Sequence, residues 1–266
     1  MVSLQVSAFI SVEFNSPVLN LMTLDQPYIY VFPLNISQSI VRTAFMLSYL
    51  NAQPHFSPVV NILYNERRQT MKLQGKKIGL GITGSFCSFS KVPLIINALQ
   101  AEGAEVIPIL SSKVQRYDTR FNKSSEFIKS IEELTGNTSI KNIVEAEPVG
   151  PKKLADAMLI APCTGNTLAK LAYAITDDTV PMATKSLLRN GYPVVLGIAT
   201  NDGFGGSAKN IGLLLNTKNY YFVPFSQDAP LAKPNSLVFH HDLVVDTLVA
   251  AFEGKQLQPL VLGSPT

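Results

Sequence analysis

The stretch Lys77-Ile-Gly-Leu-Gly-Ile-Thr-Gly-Ser85 decides the fold of this chain of 266 residues. Its first half alternates apolar residues with glycine, which predicts a buried strand. Small residues then form a turn, and an apolar helix is predicted from about Phe89 to Glu102. The first N–H groups of a helix have no partner within it, and the helix dipole favours negative charge there. The stretch therefore predicts a phosphate-binding turn made of Thr83, Gly84 and Ser85.

The same glycines allow two other interpretations. Gly79, Gly81 and Gly84 match the Gly-x-Gly-x-x-Gly spacing of dinucleotide-binding turns, but no acidic residue follows a second strand to bind a ribose. An ordinary tight turn between a strand and a helix is the remaining alternative. We favour the phosphate-binding turn, because a strand, a small-residue turn and a helix N-terminus together form an anion site.

Composition and charge narrow the class of protein. With 46% hydrophobic and 15% charged residues, the chain can bury the core of one or two domains. The net charge of +3 comes from scattered basic residues, which does not favour nucleic-acid binding. The sequence contains no run of about 18 apolar residues, so no membrane helix is predicted. Two cysteines do not form a disulfide framework, and we therefore expect a cytoplasmic protein.

Residues 1–70 differ in character from the rest of the chain. Only three charged residues occur before Tyr64, and prolines interrupt the apolar runs. A strand over 28–32 and a helix over 37–50 can be drawn, without sustained periodicity. The stretch Glu66–Met71 is what a purine-rich ribosome-binding sequence and a start codon would encode if translated. We therefore expect residues 1–70 to be upstream sequence read in frame; the alternative is a genuine, poorly patterned N-terminal extension.

From Met71 onward, strands and helices alternate with short links between them. The fully apolar strand Ala157–Ala161 is typical of the middle of a parallel sheet. The alternation predicts one α/β domain, Met71–Thr266, built on a doubly wound parallel sheet. The other predicted strands are Glu105–Leu110, Ile140–Val144, Pro193–Ile198 and Tyr220–Pro224. The other predicted helices are Ser124–Thr135, Pro151–Ala157, Leu168–Ile175, Val180–Arg189, Ser207–Leu215 and Phe239–Phe252.

Polar residues follow three of these strands. Ser111 and Ser112 end the second strand, at the edge where open α/β sheets bind ligands. Pro162–Thr167 joins another strand to a helix, and Ala199–Asn201 follows the next strand. Three stretches, Gly81–Ser85, Ala161–Thr167 and Ala199–Asn201, resemble in that order the phosphate turn, the Ala-Pro-x-Thr-x-Asn-Thr loop and the Pro-Ala-Met-Asn loop of a flavoprotein family. That family is the flavin-dependent cysteine decarboxylases, which includes phosphopantothenoylcysteine decarboxylase and the prenyl-transferring flavoproteins.

This resemblance implies a three-layer, flavodoxin- or Rossmann-like fold with flavin mononucleotide (FMN) at the carboxyl edge of the sheet. Residue by residue, it implies that the cofactor is surrounded by Gly81, Thr83, Gly84 and Ser85 at the phosphate, by Ser111 near the flavin or ribityl chain, and by Pro162, Cys163, Thr164, Asn166, Thr167 and Asn201 on the opposite wall.

Two departures from the family pattern weigh against a decarboxylase. The position of the family's histidine aligns with about Pro148, and no histidine occurs between Met71 and Phe239. The third loop reads Ile198-Ala-Thr-Asn201, without the family's proline and methionine. Nothing in the sequence supplies Cys163 with a base, so no catalytic residue is assigned. The three histidines show no metal-ligand spacing, and no metal site is predicted.

Within the family, Lys76–Gly263 is similar to the B subunits of a two-subunit oxidoreductase of spore-forming bacteria. The resemblance implies oxidation of a dihydro dicarboxylate to its aromatic product during sporulation, with NAD(P) held by the partner A subunit. The alternatives are an FMN-binding flavoprotein, a non-catalytic module that stabilises its partner and, with less support, a flavin-dependent decarboxylase. The resemblance also implies a homo- or hetero-oligomer. The cationic candidates for binding a dicarboxylate are Lys113, Arg116, Lys170, Lys185 and Arg189.

Overall fold

The computed structural model describes residues 18–21, 30–33 and 71–263 of the chain. Strand β1 (Val18–Leu21) pairs antiparallel with β2 (Tyr30–Pro33), and both belong to a compact unit that spans Met1–Arg67. The helix predicted over 37–50 lies outside the described residues. The origin of residues 1–70 stays a prediction.

The second unit, Arg68–Thr266, is built on a sheet of seven strands. They are β3 (Lys77–Ile82), β4 (Glu105–Leu110), β5 (Ala157–Cys163), β6 (Val194–Thr200), β7 (Tyr220–Phe222), β8 (Phe225–Gln227) and β9 (Leu237–Phe239). The first five are parallel in the order β4-β3-β5-β6-β7, which is the 2-1-3-4-5 order of flavodoxin-like folds. The chain therefore reverses direction across the sheet between β3 and β5, where such folds bind their ligands.

Helices cover both faces of this sheet. They are α1 (Val92–Ala101), α2 (Ser112–Arg116), α3 (Ser124–Thr135), α4 (Ile143–Ala146), α5 (Gly165–Ala172), α6 (Thr179–Leu188), α7 (Ala208–Leu215) and α8 (Val244–Phe252). Buried residues of α1, α3 and α8 form one core with one face of the strands, and those of α4 to α7 form a second core with the other face. This confirms the predicted three-layer, doubly wound arrangement. Within the described ranges, we find no helix with the length and apolarity needed to cross a membrane.

The sheet is mixed, where the sequence predicted a purely parallel one. Strand β9 pairs antiparallel with β8, and it also pairs antiparallel with the end of β6 at Ala199 and Thr200. The closing helix accordingly begins at Val244, later than the predicted Phe239. Strands β8 and β9 have three residues each, too few to show an alternating pattern, and the sequence did not reveal them. The equally short β7 was predicted because it lies within the longer apolar run Tyr220–Pro224.

Two predicted elements between β4 and β5 were wrong. Ile140 makes only an isolated bridge to Ile109, and helix α4 begins three residues later. The Asn142 side chain caps that helix, because its oxygen accepts a hydrogen bond from the Glu145 N–H at 2.9 Å. This cap favours a helix start over the β-strand preference of the neighbouring isoleucine and valine. The helix predicted over 151–157 is a turn instead.

The pairing of β5 with β6 contains an irregularity that matters for the site. The register shifts between Ile160 and Cys163, which interrupts the alternation of side chains along β5. Ala161 consequently belongs to one core, whereas Cys163, two residues later, belongs to the other.

The close contact between Gly150 and helix α6 can be tested by substitution. A Cβ atom there would overlap the backbone carbonyl oxygen of Ser186 in α6 and lie 2.6 Å from its carbonyl carbon. We expect Gly150→Ala to lower the free energy of unfolding by about 3 kcal/mol, because backbone atoms cannot move aside cheaply. Chemical denaturation would measure it. In the matched control, Gly212→Ala in α7, the added Cβ meets nothing within 4 Å, and it should stabilise the protein slightly.

Candidate functional site

One buried hydroxyl joins the loops that follow β3 and β5. The Thr83 hydroxyl donates a hydrogen bond to the Pro162 carbonyl oxygen at 2.7 Å and accepts one from the Thr164 N–H at 3.1 Å. Only 1% of Thr83 is exposed. The hydroxyl is thus fully used in holding the two loops together at the carboxyl edge of the sheet.

The turn after Thr83 leads into a 3₁₀ helix, Phe86–Lys91, which continues as α1. The first amide to donate within this helix is that of Ser88, to the Ser85 carbonyl at 2.9 Å, so the amides of Phe86 and Cys87 precede its hydrogen bonds. Its first turn carries no acidic residue. The aliphatic part of the Lys113 side chain lies beside the turn, since a Cβ on Gly84 would be 3.5 Å from Cβ and 3.7 Å from Cδ of Lys113.

Ser111 directly follows β4 and lies next to this turn. Its N–H donates to the Ile82 carbonyl at 3.1 Å, and its hydroxyl is buried without a hydrogen-bond partner among the described residues. Asp178 holds the neighbouring residue, because its carboxylate accepts from the Ser112 N–H at 3.0 Å and from the Ser112 hydroxyl at 3.1 Å. The same carboxylate accepts from the Thr179 N–H at 2.8 Å. Asp178 thereby occupies the starts of both α2 and α6.

The loop after β5 is closed by its own hydroxyls and by Asp202. Thr164 caps α5, since its hydroxyl accepts from the Thr167 N–H at 3.3 Å and lies 3.0 Å from the Thr167 hydroxyl. A Cβ on Gly165, the first residue of α5, would lie 2.9 Å from Oδ1 of Asp202. The carboxylate of Asp202 therefore sits against the positive end of α5.

Hydroxyl groups fix this carboxylate and keep it charged. Thr200 and Ser207 both donate to Oδ1 of Asp202, Ser207 at 2.8 Å. The Thr200 hydrogen bond lowers the pKa of Asp202 most, the Ser207 hydrogen bond lowers it further, and partial burial acts in the opposite direction. Asp202 is thus ionised at neutral pH.

Comparison with known proteins identifies the family. The chain matches the flavoprotein family over residues 66–204. The B subunit of dipicolinate synthase from Bacillus subtilis is 49% identical over 190 residues, which cover 71% of this chain and 95% of that protein. The chain belongs to the flavoprotein family, in the group of dipicolinate synthase B subunits.

Solved structures agree with this assignment. The crystal structure of the dipicolinate synthase B subunit from Bacillus halodurans has a TM-score of 0.66 at 44% identity, and the match covers 73% of this chain and 99% of that one. The FMN-dependent cysteine decarboxylase SpaF has a TM-score of 0.53 at 21% identity, with 68% and 99% covered. The second likeness shows a shared fold.

The structure of this flavoprotein brings together most of the residues singled out from the sequence. Thr83, Gly84 and Ser85 form the turn, and Pro162 and Thr164 contact it through the Thr83 hydroxyl. Ser111 and Thr167 are buried beside these loops, and Asn166 and Asn201 are exposed at the start of α5 and in the turn after β6.

Two of the expected site residues lie in the core instead. Gly81 is buried within β3, where an added Cβ would lie 2.7 Å from Cε of Met158 in β5 and 3.1 Å from Cγ1 of Val180 in α6, so this glycine allows close packing against both elements. Cys163 is fully buried, and burial raises the pKa of its thiol. The register shift in β5 directs this side chain away from the site, and a buried neutral thiol is no nucleophile.

Some of the basic residues proposed to bind a dicarboxylate already form ion pairs within the protein. Lys170 pairs with Asp177 at 2.7 Å, and Arg189 pairs with Glu147 at 2.6 Å, so both charges are already balanced. Lys113 lies at the turn.

The sequence analysis missed two acidic residues of the site, Asp178 and Asp202. The signal for Asp178 was its position directly before a helix. The signal for Asp202 was its position in a glycine-rich loop that follows a strand.

The two cysteines should differ in reactivity. Cys87 is exposed and Cys163 is buried. We expect a maleimide reagent to label one thiol in the folded protein and two in denaturant, and peptide mass mapping to assign the fast site to Cys87. Rapid labelling of Cys163 in the folded protein would contradict the position of β5.

The pKa of Asp202 gives a second test. Thr200→Val removes the hydrogen bond that lowers this pKa most, so the pKa should rise toward its ordinary value. A folded-state pKa below the unfolded one stabilises the protein above the unfolded pKa, and this stabilisation is lost as pH falls through the folded pKa. Carboxyl carbon NMR titration would measure the change. The control is Thr217→Val, whose hydroxyl donates to the Leu213 carbonyl at 2.8 Å; an unchanged Asp202 pKa in Thr200→Val would contradict the assignment.

Proposed function

We propose that this chain is the B subunit of a dipicolinate synthase. In this role it contributes to the NAD(P)-dependent oxidation of dihydrodipicolinate to dipicolinate in the cytoplasm of a sporulating cell. The partner is an A subunit that holds the nicotinamide nucleotide. The proposal is supported by 49% identity across nearly the whole length of the protein from B. subtilis.

We also propose that this chain binds FMN, with its phosphate on the Thr83–Ser85 turn. The observation that carries this proposal is the distribution of carboxylates at the edge. Asp178 accepts hydrogen bonds from the first amides of α2 and α6, and the Asp202 carboxylate lies beside Gly165, the first residue of α5. The 3₁₀ helix after the turn has no acid in its first turn and has Lys113 beside it, so it is suited to an external anion.

The residues at the turn fit such a group. Gly84 lets an oxyanion approach the backbone closely, Ser85 offers a hydroxyl, and Lys113 supplies a positive charge. The buried Ser111 hydroxyl has no described partner, which costs about 1–3 kcal/mol unless a polar ligand atom pairs with it. When bound, FMN would supply two-electron redox chemistry. The residues of this chain would bind its phosphate, balance its charge and orient it.

A second candidate function is a module that stabilises the A subunit without chemistry of its own. It is favoured by the lack of a histidine from Met71 to Phe239 and by the burial of Cys163, which leave the edge without the proton carriers of a decarboxylase. The two candidates differ in whether FMN is needed for turnover.

FMN binding can be measured directly on the purified chain. We expect flavin absorbance bands to remain with the protein after gel filtration, and Gly84→Asp to weaken FMN binding at least about tenfold through repulsion of the phosphate. Ser125→Asp adds the same charge at an exposed position in α3 and should bind normally. A colourless protein that takes up no FMN would overturn the flavin proposal.

Reconstitution with the A subunit tests the activity. The mixture should form dipicolinate from dihydrodipicolinate and NAD(P)⁺, followed by ultraviolet absorbance, and neither subunit alone should match its rate. If turnover with the wild-type chain is the same as with Gly84→Asp, the chain is a stabilising module. No activity with any A subunit that binds this chain would overturn the synthase proposal.

A further inference from the structure

The Asp202 carboxylate lies close to the proposed phosphate turn through a short series of contacts. The Thr83 hydroxyl is bonded to the Thr164 N–H at 3.1 Å, Gly165 follows directly, and a Cβ on Gly165 would lie 2.9 Å from Oδ1 of Asp202. A ligand that reaches from the turn toward the start of α5 therefore approaches this carboxylate.

Among the described residues, only one oxygen of Asp202 accepts hydrogen bonds from other side chains. The bonds from Thr200 and Ser207 both fall on Oδ1. The other oxygen, Oδ2, borders Gly206, where an added Cβ would lie 3.3 Å away. Gly205 and Gly206 are exposed and carry no side chain that could cover this oxygen. The carboxylate thus presents a charged hydrogen-bond acceptor and no donor.

We propose that Asp202 sets the ligand specificity of this site, accepting a ligand with one anionic end and rejecting a ligand with two. The inference rests on the proposed flavin site and deepens it. Uncharged hydroxyl groups of FMN can donate to the carboxylate while the phosphate lies on the turn. A second carboxylate on the ligand cannot donate, and it is repelled by a charge of the same sign.

The consequence concerns where the reaction's product binds. Dipicolinate carries two carboxylates, so one of them on the turn would bring the other toward Asp202. The site on this chain therefore excludes dipicolinate, and the dicarboxylate has to be held by the A subunit. Asp202 is in this sense a specificity residue for the cofactor.

Asp202 could instead have a purely structural role, because its carboxylate accepts hydrogen bonds from Thr200 and Ser207 and lies beside Gly165. Asp202→Asn separates the two roles. Asparagine has the same size, and its amide oxygen can accept the hydrogen bonds from Thr200 and Ser207. The substitution therefore keeps these hydrogen bonds and removes the negative charge.

The experiment is isothermal titration calorimetry of dipicolinate and FMN into the full chain. Asp202→Asn should bind dipicolinate at least about tenfold more tightly than the wild type, and its FMN affinity should change less than about threefold. Asp228→Asn is the control, since Asp228 is exposed and paired with Lys233 at 2.8 Å. It should leave the affinity for dipicolinate unchanged.

A comparison of ligands avoids dependence on the variant's folding. Picolinate has one carboxylate and should bind the wild type more tightly than dipicolinate does. Equal affinities of the wild type for picolinate and dipicolinate, or no gain for dipicolinate in a folded Asp202→Asn, overturn the inference. If FMN binds none of these proteins, the flavin proposal fails, while the dicarboxylate titrations still decide the role of Asp202.

Discussion

The hydroxyl of Thr83 is the interaction on which the whole edge depends. Its two hydrogen bonds connect loops that are about 80 positions apart in sequence, at the point where the strand order reverses. Its bonds to Pro162 and Thr164 are within protein that excludes water, where an unpaired polar group is costly. The turn after β3 and the start of α5 are therefore fixed relative to each other before any ligand arrives.

Electrostatics then divides the edge into parts with different roles. Helix starts attract negative charge, and Asp178 accepts hydrogen bonds at the starts of α2 and α6, while the Asp202 carboxylate lies beside the start of α5. The hydrogen bond from the Thr200 hydroxyl, and to a lesser extent that from Ser207, lowers the pKa of Asp202 and so favours its charged form. The turn at Gly84 lacks such an acid and has Lys113 beside it. Specificity for an anion thus comes as much from where the protein places its own charges as from the residues that contact the ligand.

Local sequence signals were enough to predict the parallel strands, most helices and the turn at Thr83–Ser85, because apolar alternation and small-residue turns are encoded over a few neighbouring positions. They could not predict the direction of Cys163, which depends on a register shift between two strands. They also missed β8 and β9, which have three residues each and, unlike β7, do not lie at the start of a longer predicted apolar run. Asp202 escaped notice because its partners Thr200 and Ser207 are meaningful only once the loop has folded around Gly165.

Strand β6 is supported by different neighbours along its length. Its first residues pair with β7, and its last two, Ala199 and Thr200, pair with β9. The loop beyond is tied to the same region, since the Phe204 N–H donates to the Asn235 carbonyl at 3.2 Å. A fragment ending at residue 204, where the family match ends, would contain every cofactor-binding residue expected from the sequence, but it would lack Ser207, which holds Asp202, and β9, which pairs with the end of β6. The boundary of the recognisable motif and the boundary of the working unit are therefore different places in this chain.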